Sequence, residues 1–167
     1  HRTTDEDGHG SQPCSLDGTI WIVANARIDD REALIEALGG TGDLSLEHTQ
    51  DAELILRAYL RWGADCPSHL LGDFAFAIWD GRARRLFCAR DRFGVRQLYY
   101  AHRGDLLIVA NALYALLGHP AISRRLDEEA IGAFLLFGDH LWHDKGLTAF
   151  ADVRAVPPAH RLVVEGA

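Results

Sequence analysis

Several features are scarce or missing in this 167-residue chain, and each absence removes a class of protein. There is no methionine, and the first residue is His1. A translation product normally begins with Met, so further residues are expected upstream. At the other end, Arg161–Ala167 stops just after a strand-like run, as though cut. There are three cysteines, Cys14, Cys66 and Cys88, none in CxxC or CxxH spacing. That excludes a secreted disulfide framework. Cys88 lies in an apolar run and reads as a buried thiol. No stretch of about 20 apolar residues and no signal-like segment is present, so a membrane span is excluded and a reducing cytoplasm is expected. A concentrated basic face is also missing. The net charge is −7, and the longest basic cluster, Arg82–Arg85, reads as a solvated hairpin turn. Nucleic acid is therefore excluded as a partner.

What remains is 48% hydrophobic and 25% charged, the composition of one globular domain. Thr19–Ala24 is apolar and β-branched and predicts a buried strand, with Asn25–Ile28 turning out of it. Asp29 with Glu32 has capping-box spacing for a helix that ends at Gly39-Gly40. Leu54, Ile55, Ala58, Tyr59 and Trp62 recur at helical spacing and predict a helix from Asp51 to Trp62, stopped by Gly63. Asp65–Leu70 predicts a short helix. Asp80-Gly81 predicts a hairpin between strands Asp73–Trp79 and Arg85–Ala89. Leu98–His102 and Leu106–Ala110 predict a second hairpin. Tyr114–Leu117 reads as a short helix and Leu126–Phe137 as a longer one, capped near Asp127 and taken as a core helix. Gly146–Ala155 reads as irregular with a late strand. His160–Val164 follows Pro157-Pro158 as a final strand. Hairpins with helices grouped between them predict an α+β fold with largely antiparallel sheets.

One segment stands out. Ala89–Tyr100 (ARDRFGVRQLYY) reads from composition as a polar turn between strands, with an ion-pair network of alternating charges and Gly94 at positive φ. It also resembles the A-R-D-R-F-G stretch of the glutaminase domain of asparagine synthetases. Further segments resemble that family in the same order. These are Gln12-Pro13, Trp21–Ile28 (WIVANARI), Thr49–Glu53 (TQDAE), Gly72–Asp80 (GDFAFAIWD) and Ala155–Leu162 (AVPPAHRL).

The resemblance implies a class II glutamine amidotransferase domain. Its fold would be an N-terminal-nucleophile hydrolase-like sandwich of two mostly antiparallel sheets with flanking helices. The implied nucleophile is a cysteine at the mature N-terminus, activated by its own amine and attacking the side-chain amide of glutamine. It would lie upstream of His1, on a first strand that is expected to be absent here together with a C-terminal synthetase domain. The implied chemistry is a thioester and ammonia, the ammonia passing to that synthetase domain. No cofactor is implied within residues 1–167, and ATP and Mg are expected in the synthetase domain. A homodimer is left open.

Residue by residue, Asn25 matches the Asn whose carboxamide donates to the oxyanion. Ala26 stands at the Gly that offers a backbone N–H, where a positive φ would be costly for Ala. Asp51 matches the Asp that pairs with the glutamine ammonium, and would also serve as a plain helix N-cap. Arg2 matches, across a gap, the Arg that clamps the glutamine carboxylate. Arg27 replaces a Glu, Gln97 a Pro, and Asn111-Ala112 and Tyr114 stand where S-E and K are frequent. These departures keep a second reading open: a degenerate, non-catalytic scaffold for an adenylating amide synthetase, akin to lasso-peptide cyclases or β-lactam synthetases. His140 and His143 have i, i+3 spacing but lack a nearby Cys or carboxylate pair, so no metal site is expected.

Overall fold

The fold was read from a computed structural model. It describes residues 12–40, 49–138 and 145–166. Among the described residues eight strands form two antiparallel sheets. The larger has the order β1(Cys14–Ser15), β2(Ile20–Ile28), β3(Gly72–Asp80), β4(Arg85–Arg90), β8(Arg161–Glu165). The smaller has the order β6(Leu106–Ala110), β5(Tyr99–Arg103), β7(Arg154–Ala155). The α+β fold with antiparallel sheets expected from the hairpin pattern, and the two-sheet sandwich that the family resemblance implied, are the observed architecture.

Strand periodicity explains the layering, because alternate residues point to opposite faces. On one face of the larger sheet Ile20, Ile22, Ile28, Phe74, Phe76, Ile78 and Phe87 pack under α2(Asp51–Trp62) and α1(Arg31–Ala37). On its other face Ala75, Ala77, Leu86 and Cys88 meet Tyr100 and Val109 of the smaller sheet and Leu98 just before it. The far side of the smaller sheet packs Ala101 and Ile108 against Leu116 and Leu117 of α3(Leu113–Leu117). The layers are thus helix, sheet, sheet, helix. Each fully buried Ile or Phe here contributes about 1.5–3 kcal/mol relative to exposure. No described helix is long and apolar enough to cross a membrane.

The structure corrects several expectations. β2 does not turn out at Asn25; it continues to Ile28, because Asn25–Ile28 pair with Ala75–Gly72 of β3. That pairing partner is 47 or so residues away and invisible to a local turn rule. The first helix is capped by Asp30, whose carboxylate accepts from Ala33 N, while Asp29 pairs with Arg27. The short helix expected over Asp65–Leu70 is a 3-10 helix, Gly63–His69, with Leu70 as its C-cap. Arg85 is not a solvated turn residue. It lies in β4, stacks on Tyr59 and donates to its hydroxyl at 2.6 Å, and that hydroxyl donates to buried Asp80 at 3.0 Å.

The largest correction concerns α4(Glu128–Phe137). Its cap is the expected Asp127, which accepts from Ala130 N at 3.0 Å. Yet Ala130 alone is buried, so this is not a core helix. Its mostly apolar composition gave no direction for the burial; Ala130 is covered, while Phe134 to Phe137 stand exposed.

Candidate functional site

The segment Ala89–Tyr100 forms the β4–β5 connection, and its charges are spent on backbone rather than on each other. Arg90 is buried and donates to the carbonyls of Arg96 at 2.7 Å, Val156 at 2.8 Å and Gly94 at 2.7 Å, and to Gln97 Oε1 at 2.8 Å. Asp91 is 1% exposed, and accepts from the N–H groups of Phe93, Val95 and Arg96. The expected ion-pair network is therefore a pair of opposite charges that each satisfy loop dipoles. Burial pulls the Arg90 guanidinium pKa below its ordinary value, and the Asp91 charge opposes that shift. Gly94 has the expected positive φ, 68°. The loop is a structural hub at the root of β5, which carries the smaller sheet.

The candidate site lies at the outer edge of β2. Odd-numbered residues of β2 bond to β3, so Ala24, Ala26 and Ile28 direct their backbone groups outward. At Ala24 the Gln12 carboxamide takes both groups, donating to the carbonyl at 3.0 Å and accepting from the N–H at 2.6 Å. At Ile28 the Asp51 carboxylate accepts the N–H at 3.1 Å. Between these two clamps, Ala26 N–H and C=O have no hydrogen-bond partner among the described residues. An edge open for a single residue, with both neighbours closed by side chains, is a specific place for an external acceptor.

Asn25 stands beside it on the inter-sheet face. Its side chain, half-buried, lines a cavity of about 330 Å³ together with Gln12, Ala77, Leu98, Val109 and Asn111. The carboxamide has no hydrogen-bond partner among the described residues. Two donors from consecutive residues, one leaving the sheet edge and one standing on its face, suit an oxygen that gains charge during a reaction. Ala26 does not have the positive φ that would penalise a Cβ; it is ordinary strand, so Ala serves there as well as Gly.

The other expected substrate residues are placed less openly. Asp51 is the first residue of α2, whose N-cap is Gln50, so its carboxylate is not the cap. Arg31 donates to it in a largely buried pair and also to the carbonyl of Thr49. Arg27 is about half exposed and turns to Asp29 at 2.9 Å and Asp73 at 4.0 Å. Arg2, His140 and His143 lie outside the described residues. Among the described residues no three His, Cys, Asp or Glu side chains converge to hold a metal ion. The three thiols lie away from nucleophilic duty. Burial pushes Cys66 and Cys88 up to about 12, and burial with the Glu53 charge raises Cys14.

A larger cavity, about 520 Å³, lies beside Arg90, Arg92, His160 and Arg161. Size alone does not make it the site. Arg90 is committed to carbonyls, and Arg161 donates to Ala64 O and Asp65. The smaller cavity holds the Asn25 carboxamide and adjoins the strand edge at Ala26, both without hydrogen-bond partners among the described residues, and it is the better candidate.

A family model described as a glutamine amidotransferase domain matches residues 2–167. The chain belongs to the glutamine amidotransferase domain family. This amidotransferase domain is 34% identical over 158 residues to asparagine synthetase [glutamine-hydrolyzing] 3 of Bacillus subtilis, covering 94% of this chain and 25% of that protein. It is 32% identical over 155 residues to amidase chyE of Penicillium rubens, covering 92% of this chain and 22% of that protein. The domain thus spans about a quarter of the length of these relatives. Among solved structures, glutamine phosphoribosylpyrophosphate amidotransferase from B. subtilis superposes with a TM-score of 0.57 at 19% identity, covering 93% of this chain and 30% of that one. That likeness establishes the amidotransferase sandwich as the fold.

Sequence reasoning missed two partners at the site. Arg31 carries no motif signal and reaches Asp51 only through the α1–α2 packing. Gln12 was noted for its Gln-Pro dipeptide, but its clamp on Ala24 needs the folded edge.

Proposed function

We propose that this domain hydrolyses glutamine and supplies ammonia to an asparagine synthetase-like, ATP-dependent amide-forming ligase in the cytoplasm. The observation that carries the reading is the Ala26 N–H at the edge of β2, which has no partner among the described residues, flanked by the Asn25 carboxamide, which has none among them either. In this reading an N-terminal cysteine thiolate attacks the glutamine side-chain carbonyl, and Ala26 N–H and Asn25 Nδ2 donate to the oxygen as it becomes an oxyanion. Collapse expels ammonia and leaves a thioester, which water hydrolyses to glutamate. Cys14, Cys66 and Cys88 take no part. Asp51 faces the substrate ammonium, sharing its charge with Arg31, and Arg2 clamps the carboxylate. The step that uses ATP and Mg²⁺ belongs to the rest of the polypeptide.

The test is glutamine-dependent ammonia release by the full-length protein. Asn25→Ala is expected to lower kcat by about 10²–10³-fold, the loss of one oxyanion donor, with KM for glutamine little changed. Synthesis from free ammonia serves as the folding control and stays intact. An unchanged kcat for Asn25→Ala would sink the assignment.

A second reading is favoured by one contact, Arg31 seated on Asp51 where an ammonium would pair. In that reading the domain is a non-catalytic scaffold. Ammonia release at background, with ATP-dependent turnover surviving on free ammonia, would establish it.

A further inference from the structure

Helix α4 begins conventionally, with Asp127 as cap, Glu128 and Glu129 in the first turn and Ala130 buried against the domain. Its last turn is different. Leu135 is 76%, Leu136 77% and Phe137 58% exposed. Successive helical residues turn by about 100°, so these three side chains sweep roughly 200° of the circumference. A helix lying on one flat partner needs an apolar stripe of only about 100°. No Asp, Glu, Lys or Arg occurs from Ala130 to Phe137 to mark a solvent side. An apolar turn presented across so wide an arc fits a socket with more than one wall.

We propose that the last turn of α4 inserts into an apolar socket on the part of the polypeptide that lies beyond this domain. This rests on the reading above that the domain is continuous with a larger ligase. It draws on the length of its relatives, of which this chain spans 25% in the B. subtilis synthetase. A second copy of the domain is a poorer occupant. A two-fold contact sets the same face against itself, covers one stripe and leaves the flanking side chains wet. Two copies would also bring together two bodies of net charge −7. A domain on the same chain need not set the same face against itself and loses little further translational freedom on docking.

The experiment uses the full-length polypeptide with benzoylphenylalanine in place of Leu136. That position is exposed within the domain, so the substitution leaves the domain core intact. The protein is mixed as ¹⁴N- and ¹⁵N-labelled forms, irradiated and mapped by mass spectrometry. The expected result is cross-links from position 136 to residues beyond 167, with no mixed-isotope peptides. Mixed-isotope cross-links would show a second copy in the socket's place. Cross-links confined to residues 12–166, or none at all, would overturn the proposal as well. Intact mass is read first. A mass ending near residue 167 removes the ligase reading and the socket together, whereas a longer mass with the wrong cross-links removes the socket alone.

Discussion

Replacing Asp91 by Ala would strip the β4–β5 loop of the acceptor that organises it. Three N–H groups, of Phe93, Val95 and Arg96, would lose a carboxylate, and buried Arg90 would lose the nearest opposite charge. A hydrogen bond to a charged group contributes about 1.5–3 kcal/mol. Phe93 is 83% and Val95 55% exposed, so water replaces part of what their N–H groups lose. Halving those terms leaves a net cost of about 4 kcal/mol, in the range of about 3–5 kcal/mol found when one partner of a buried pair is removed. Asp91→Asn is the sharper comparison. One Asp91 oxygen accepts from Phe93 and Val95 and the other from Arg96, so an amide keeps two bonds and sets its NH₂ against the Arg96 N–H. Its cost is about 2 kcal/mol, one lost bond plus one unpaired donor. In a chain of 167 residues each kcal/mol lowers Tm by about 2–4 °C, so Asp91→Ala is expected to lose roughly 8–16 °C and Asp91→Asn about half of that. Urea unfolding with an unchanged m-value would confirm that the native state is what changed. A loss under about 2 °C for Asp91→Ala, well below the shift from a single kcal/mol at the upper end, would refute the loop's role as a hub.

Two other perturbations separate local causes. Gly94→Ala places a Cβ 2.7 Å from Pro158 Cγ and 3.0 Å from Arg90 Nη2 at φ 68°, whereas Gly104→Ala at φ 57° meets nothing within 4 Å. Denaturant titration is expected to give about 1–2 kcal/mol for Gly104→Ala from backbone strain, and about 1–3 kcal/mol more for Gly94→Ala from crowding; equal losses would count against the crowding. At acid pH, Asp17 is the group to follow. The N–H groups of Ile20 and Thr19, then the Thr19 hydroxyl, hold its pKa down at about 2. A depressed carboxylate stabilises fully above its unfolded value of about 3.9, and that contribution fades as pH falls from there through about 2. Carboxyl NMR titration of Asp17 reads this directly, and a midpoint near 3.8 would contradict it.

Parts of the molecule were legible because their causes are local. The helix Asp51–Trp62 shows a 3.6-residue period and a glycine stop, and the structure reproduces its bounds. Asp80-Gly81 announces its hairpin, and Asp127 its cap. The segment Ala89–Tyr100 pointed to the family, although its charges proved to serve the backbone. The antiparallel sheets followed from the hairpins, and the sandwich from the family resemblance.

By itself, then, the sequence determined the class of fold, the family, and the helix that begins at Asp51. Only the tertiary structure decided how β2 ends, who occupies Asp51 and which helix is left outside. The physical reason is range. Asn25–Ile28 became strand through partners on β3, Ala24 was closed by a side chain from Gln12, and Arg31 reached Asp51 across the helix layer. The apolar run of α4 looked like core to a composition rule, but burial is a property of neighbours, and of the residues of α4 only Ala130 is buried.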